Sequence, residues 1–216
     1  MTDGEISGYI DHTLLQAPSS WVDVKKLCDE AVLYSFASAC VPPSYVLPIH
    51  REYGGDLVVC TVVGFPLGYS RSEAKRLETE LALQDGAGEI DMVINVGDVK
   101  NARFDAVLEE ISLLKKTCAD KVLKVIVETC FLTEEEKIKV CGIVTQAGAD
   151  FIKTSTGFGT AGAALADIAL FKKHVGPGVK IKASGGIRTR EDLFAFINAG
   201  ASRIGTSSAV KMLTGA

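Results

Sequence analysis

The chain has 216 residues, 47% of them hydrophobic and 23% charged, which is ample for a large core and excludes global disorder. A formal net charge of −4 argues against a general nucleic-acid or membrane-surface binder. A small anion stays open as a ligand, because a nest of backbone N–H groups can hold one on an acidic protein.

At the start, MTDGEISGY carries neither the basic region nor the apolar run of a signal peptide, and no uncharged apolar stretch is long enough to span a bilayer. Short β-rich runs then recur, each followed by a longer amphipathic segment. The predicted strands are GYIDHT (8–13), FASACV (36–41), LVVCTVV (57–63), EIDMVIN (89–95), LKVIVET (123–129), DFIKTS (150–155), VKIKAS (179–184) and SRIGTS (202–207). WVDVKKLCDEAVLYS predicts a helix with Val24, Leu27, Cys28, Ala31 and Val32 on one face. RSEAKRLETELALQDG predicts a second, with Ala74, Leu77 and Leu81 together and a stop at Gly86. TEEEKIKVCGIVTQAG opens with acidic residues, which suit the positive end of a helix dipole, and stops at Gly148.

Near-continuous apolar strands alternating with helices predict a parallel sheet covered by helices. Eight such units follow one another with no linker, low-complexity segment or change of composition. DGAGE, AGAD and AGAS each precede a strand, as similar helix-to-strand turns around a ring would. No strand leads into G-x-G-x-x-G, so a dinucleotide fingerprint is missing. The expected fold is α/β: a (β/α)8 TIM barrel of parallel strands, one domain over residues 1–216, with an open doubly wound sheet as the alternative.

A barrel of this kind carries its active site at the carboxyl ends of the strands. There the chain places Lys153, in DFIKTSTGFGT, and Lys182, in KIKASGGIR, at matching positions of consecutive units. If both point inward, two ammonium groups on strands about 5 Å apart are near neighbours. Each then depresses the other's pKa, as burial does, and one can become the neutral amine that attacks a carbonyl. The alternative is that one or both snorkel outward. Alternation along EIDMVIN puts Glu89, Asp91, Val93 and Asn95 on one face and Ile90, Met92 and Ile94 on the other. Asp91 would face the lysines, either to move protons or only to neutralise one of them. Asp11, in YIDHTLL, has the same ambiguity.

Three loops follow the last three strands: STG (155–157), SGGI (184–187) and GTSS (205–208). Their glycines let backbone N–H groups approach an anion and their hydroxyls add donors, so Thr156, Gly157, Gly185, Gly186, Gly205, Thr206 and Ser207 are candidate phosphate contacts. SRIGTSSAVKML reads as a strand entering a short helix whose N-terminus faces the ligand. The histidines, His12, His50 and His174, are scattered without ligand spacing, so no metal and no cofactor are expected. The six cysteines contain no C-x-x-C pair; Cys60 reads as a small hydrophobe, Cys40 as structural, and the setting as reduced and cytoplasmic.

The combination of YIDHTLL, EIDMVIN, FIKTSTGFGTAGA, IKASGGIRT and GASRIGTSS resembles the deoxyribose-phosphate aldolase family over nearly the whole chain, most specifically in the KTSTG and KASGGIR pair. The resemblance implies a cytoplasmic, metal-independent class I aldolase, usually a homo-oligomer, acting in deoxyribonucleoside breakdown. Such an enzyme reversibly cleaves 2-deoxy-D-ribose 5-phosphate to D-glyceraldehyde 3-phosphate and acetaldehyde. By motif, Lys153 is the Schiff-base lysine, Lys182 its electrostatic partner and proton relay, and Asp91 the proton donor and acceptor. Phosphate contacts fall on Gly157, Gly185, Gly186, Gly205 and Ser207, and substrate contacts near the first strand on Asp11 and Thr13. Some relatives carry a basic residue after STG; Phe158 stands here, which implies phosphate contact through backbone. Two rivals stay open: a Schiff-base aldolase of other substrates, and a phosphate-binding barrel without catalysis.

Overall fold

Each apolar run becomes one strand of a closed ring. The computed structural model describes residues 3–215. Its strands are β1 (Ile10–Thr13), β2 (Ser38–Val41), β3 (Val59–Val63), β4 (Glu89–Val93), β5 (Val122–Ile126), β6 (Phe151–Lys153), β7 (Lys180–Ser184) and β8 (Arg203–Thr206). All pair in parallel in sequence order, and β8 closes on β1. Helix α1 (Asp3–Ser7) precedes β1. The others follow the strands: α2 (Trp21–Leu33), α3 (Val46–Tyr53), α4 (Ser72–Gln84), α5 (Val96–Lys100), α6 (Phe104–Cys118), α7 (Glu134–Gln146), α8 (Leu165–His174), α9 (Arg190–Ala199) and α10 (Ala209–Thr214). This is the (β/α)8 barrel; the open sheet is excluded by the β1–β8 pairing.

The strands are shorter than their apolar runs because the runs continue into turns. Asn95, expected on the inward face of a strand, lies beyond β4, where its side chain accepts from Gly97 N at 3.1 Å and caps α5. Helices α2, α7 and α9 begin with full capping boxes, Ser20/Asp23, Thr133/Glu136 and Thr189/Asp192. Each box satisfies N–H groups that would otherwise be orphaned at the helix start.

The hydrophobic core lies between the strands and the helices. Outward strand residues such as Val59, Ile90, Met92, Leu123, Ile152 and Ile204 pack there against Val24, Ile49, Ile111, Val144, Ile168 and Leu193. Among the described residues a second apolar cluster, Cys40, Cys60 and Val62 with Leu15 and Phe65, lies apart from it.

Helix α4 departs from its sequence reading. Ala74, Leu77 and Leu81 do not face the core: Leu77 and Leu81 are 52% and 51% exposed, and Lys75, Thr79 and Ala82 are buried instead. The reason is electrostatic. Lys75 Nζ donates to the Val93 carbonyl and to Glu110 Oε2, both at 2.8 Å, while Glu78 accepts from Gly64 N at 2.8 Å. These bonds clamp α4 to the end of β4, to α6 and to the loop after β3, and burying the leucines would break them. In α2, Val24, Leu27, Cys28 and Ala31 are buried as expected, whereas Val32 is 41% exposed.

Burial pushes the Lys75 amine down and the Glu110 carboxyl up, against their mutual attraction. A pair in that condition is costly to break and cheap to replace. Glu110→Ala should therefore lower the urea-unfolding free energy by about 3–5 kcal/mol, whereas Lys75→Met with Glu110→Leu should return it close to the wild-type value.

Candidate active site

Strand alternation that turns the apolar residues outward leaves a polar set facing in. Contacts between strands on opposite sides of the ring prove the direction: Asp91 on β4 meets Lys182 on β7, and Arg203 on β8 meets Glu89 on β4. Most barrels fill this space with branched apolar side chains. Here it holds seven ionisable groups.

Asp91 is the hub. Its Oδ2 accepts from Lys153 Nζ and from Lys182 Nζ, each at 2.7 Å, and its Oδ1 accepts from Lys124 Nζ at 2.8 Å and the Cys60 thiol at 3.2 Å. Lys153 and Lys182 are register partners across β6 and β7, and so are Asp91 and Lys124 across β4 and β5. A second carboxylate, Asp11, lies 2.5 Å from Lys182 Nζ and accepts from Arg203 at 2.6 Å and Ser38 Oγ at 2.7 Å. Glu89 completes the network, 2.5 Å from Lys124 and 3.1 Å from Arg203.

The electrostatics correct the expectation of a depressed amine at Lys182. Burial alone pushes the Lys182 amine down, but Asp11 and Asp91 outweigh it and hold Lys182 above its ordinary value. Lys124 is likewise pushed down by burial and held well above its ordinary value by Asp91, Cys60, Asp11 and Glu89. Burial would raise Asp91; Lys124, Lys153 and Lys182 together hold it well below the carboxylate range. Asp11 is lowered too, against burial, chiefly by Lys182 and Lys124. Lys182 is thus a fixed cation, locked between two anions.

Above the network the barrel opens into a cavity of about 210 Å³. Lys153 reaches it, as do Thr13, Thr156, Gly157, Gly185, Gly186, Gly205, Thr206 and Ser207. Asp11, expected to touch the ligand, does not line the cavity; it is fully buried against Lys182 and Arg203. Asp91 and Lys182 are also below the cavity wall. Gly157, Gly185 and Gly186 have φ of 88°, 89° and 80°, a backbone shape that favours glycine. Gly205 is small for another reason: a Cβ there would lie 3.0 Å from Ser184 Cβ and 3.2 Å from Lys182 Cε. It gives Lys182 room to cross the barrel. The Thr206 hydroxyl donates to the Ile187 carbonyl at 2.8 Å and accepts from Ser208 N at 3.0 Å, so it braces the loop.

Several residues escaped the sequence reading. Lys124 lies in LKVIVE, which shows no motif beyond a strand, yet its register sets Lys124 opposite Asp91. Arg203, Glu89 and the Cys60 thiol need the closed ring before their partners are known. Arg188, an exposed cation at the cavity lip, follows directly on GGI. Two donor sets, Cys40–Cys60–Asp91 and Asp11–Cys60–Glu89, have ligand atoms within 4.8 Å of one another. Ammonium groups already occupy those carboxylates, and an entering cation would meet them as like charges. No helix among the described residues is long and apolar enough to cross a membrane.

A closed barrel whose cavity ends on an amine, with a carboxylate and a second amine behind it, defines a class of protein equipped to form an imine. Its family follows from comparison: the model of the DeoC/LacD family aldolases matches residues 6–213, and the chain belongs to that family. Deoxyribose-phosphate aldolases of Clostridium botulinum (strain Alaska E43 / Type E3) and Clostridioides difficile (strain 630) are 60% and 55% identical to it. Those matches cover 100% and 94% of this chain and 97% and 93% of the relatives. A tetrameric deoxyribose phosphate aldolase structure from Aeropyrum pernix matches at a TM-score of 0.90 and 35% identity, over 98% of this chain and 91% of that one.

Asp91→Asn should destabilise the fold by about 3–5 kcal/mol at neutral pH, because it leaves buried lysines facing a neutral amide. A carboxyl whose folded pKa is lowered contributes stability above its unfolded value of about 3.9 and loses it as pH falls toward the folded value. The gap between wild-type and variant urea midpoints should therefore narrow as pH drops below about 4.

Proposed function

We propose that the protein is a deoxyribose-phosphate aldolase that reversibly cleaves 2-deoxy-D-ribose 5-phosphate to D-glyceraldehyde 3-phosphate and acetaldehyde. One observation carries the reading: Lys153 alone of the buried bases opens on the cavity, with Asp91 and Lys182 directly behind it. Four cationic groups (Lys124, Lys153, Lys182, Arg203) face three carboxylates (Asp11, Glu89, Asp91). Four against three leaves one positive charge in excess. Of the four, Lys153 is the one that reaches the cavity.

The free Lys153 amine adds to the C1 aldehyde of the open-chain sugar, and loss of water leaves an iminium. Electrons of the C2–C3 bond flow into that iminium as Asp91, through one water, takes the C3 hydroxyl proton. Glyceraldehyde 3-phosphate departs; the enamine is protonated at C2, and hydrolysis releases acetaldehyde and the amine. Lys182 stays protonated throughout, keeping positive charge beside Lys153 and orienting Asp91. Backbone N–H groups of the 157, 185–186 and 205–207 segments hold the phosphate, with Arg188 as the nearby cation. That remote grip fixes the sugar over Lys153 and contributes by orientation. A cytoplasmic homo-oligomer fits the family, and the half-exposed leucines of α4 are suited to a subunit contact.

Borohydride reduction with acetaldehyde should add one reduced two-carbon adduct to Lys153, seen by peptide mass spectrometry, and Lys153→Met should abolish both adduct and turnover. An adduct found elsewhere, or none, would refute the reading. Lys182→Met removes the fixed cation beside Lys153 and one of the hydrogen bonds that orient Asp91. Turnover at neutral pH should drop by about a hundredfold or more.

A further inference from the structure

Glu128 stands just after β5 with φ 52° and ψ 68°, left-handed backbone that a non-glycine residue seldom adopts. It is nearly fully buried, and among the described residues no lysine or arginine pairs with it. Strain of this kind persists only where surrounding contacts over-determine it, and it concentrates at functional sites. Those contacts are visible here. Val127 N donates to the Lys153 carbonyl and Thr129 N to the Thr154 carbonyl, both at 3.0 Å, pinning the backbone on either side to the end of β6. The left-handed turn between them swings the Glu128 carboxyl group across to Thr156, which gives it a backbone N–H at 3.2 Å and a close hydroxyl hydrogen bond. The same hydroxyl accepts from Phe158 N at 3.0 Å. A Cβ at Gly159 would lie 3.1 Å from the Glu128 carboxyl carbon, so the loop folds tightly over this side chain.

We infer that Glu128 is a positioning residue, which fixes the 154–159 loop so that Gly157 holds the substrate phosphate in register with Lys153; this rests on the aldolase reading above. The Thr156 N–H, counted among phosphate donors in the sequence, is turned inward to Glu128. The cavity wall on this side is formed by Thr156, Gly157 and Phe158, a segment held by a residue that does not itself line the main cavity.

The test compares the phosphorylated with the unphosphorylated sugar. Glu128→Gln keeps one oxygen acceptor and loses the other. It should raise KM for deoxyribose 5-phosphate about tenfold while kcat, and kcat/KM for plain deoxyribose, change less than about threefold. In a Thr156→Val background, where the hydroxyl is gone, the same substitution should add little. Glu128→Ala, if it folds, should exaggerate the split. Equal losses on both sugars with a lowered Tm, or an unchanged KM in Glu128→Gln, would overturn the inference while the acetaldehyde adduct on Lys153 persists. No adduct on the wild type would overturn the aldolase reading and this inference with it.

Discussion

Asp91 accepts hydrogen bonds from three lysines in the interior of a closed cylinder, and the remaining architecture follows from keeping that arrangement intact. A charge removed from water must be paired and hydrogen-bonded or it neutralises. One carboxylate cannot satisfy three ammonium groups alone. Asp11 therefore backs Lys182, Glu89 backs Lys124, and Arg203 ties the two acids together. The outcome is a graded environment: Lys182 and Lys124 are held as cations, and Lys153 is the member of the network that reaches the cavity.

Such an interior contributes little hydrophobic stabilisation, so the burden shifts outward. The main apolar cluster lies between strands and helices, where outward strand residues pack against helix faces. This separates stability from chemistry in space. The charged centre can be arranged for reaction while the outer layer keeps the ring closed. Helix α4 shows the limit of the separation, since its buried Lys75 reaches the carbonyl of Val93, two residues beyond Asp91.

The rim works by absence of side chains. Gly162 and Gly185 touch so closely that a Cβ on Gly162 would sit 2.2 Å from the Gly185 carbonyl oxygen, and Ala163 N donates to that oxygen at 3.0 Å. The loops after β6 and β7 thus form one continuous wall. Gly205 admits Lys182 beneath that wall, and Glu128 fastens its near side.

Local alternation was enough to find eight strands, to put Asp91 on the face opposite Ile90 and Met92, and to mark Lys153 and Lys182 as equivalent in consecutive units. Those inferences need only the period of the strand and the order of the units. Closure decided the rest. Lys124, Glu89 and Arg203 become members of one network because strands far apart in sequence face each other across the ring, and no local pattern records that distance. The same holds for α4, where hydropathy pointed to Leu77 and Leu81 but a lysine–glutamate pair set the rotation. It holds again for Lys182, whose charge state depended on two acids from β1 and β4. Periodicity is a property of neighbours along the chain; electrostatic partnership is a property of neighbours in space.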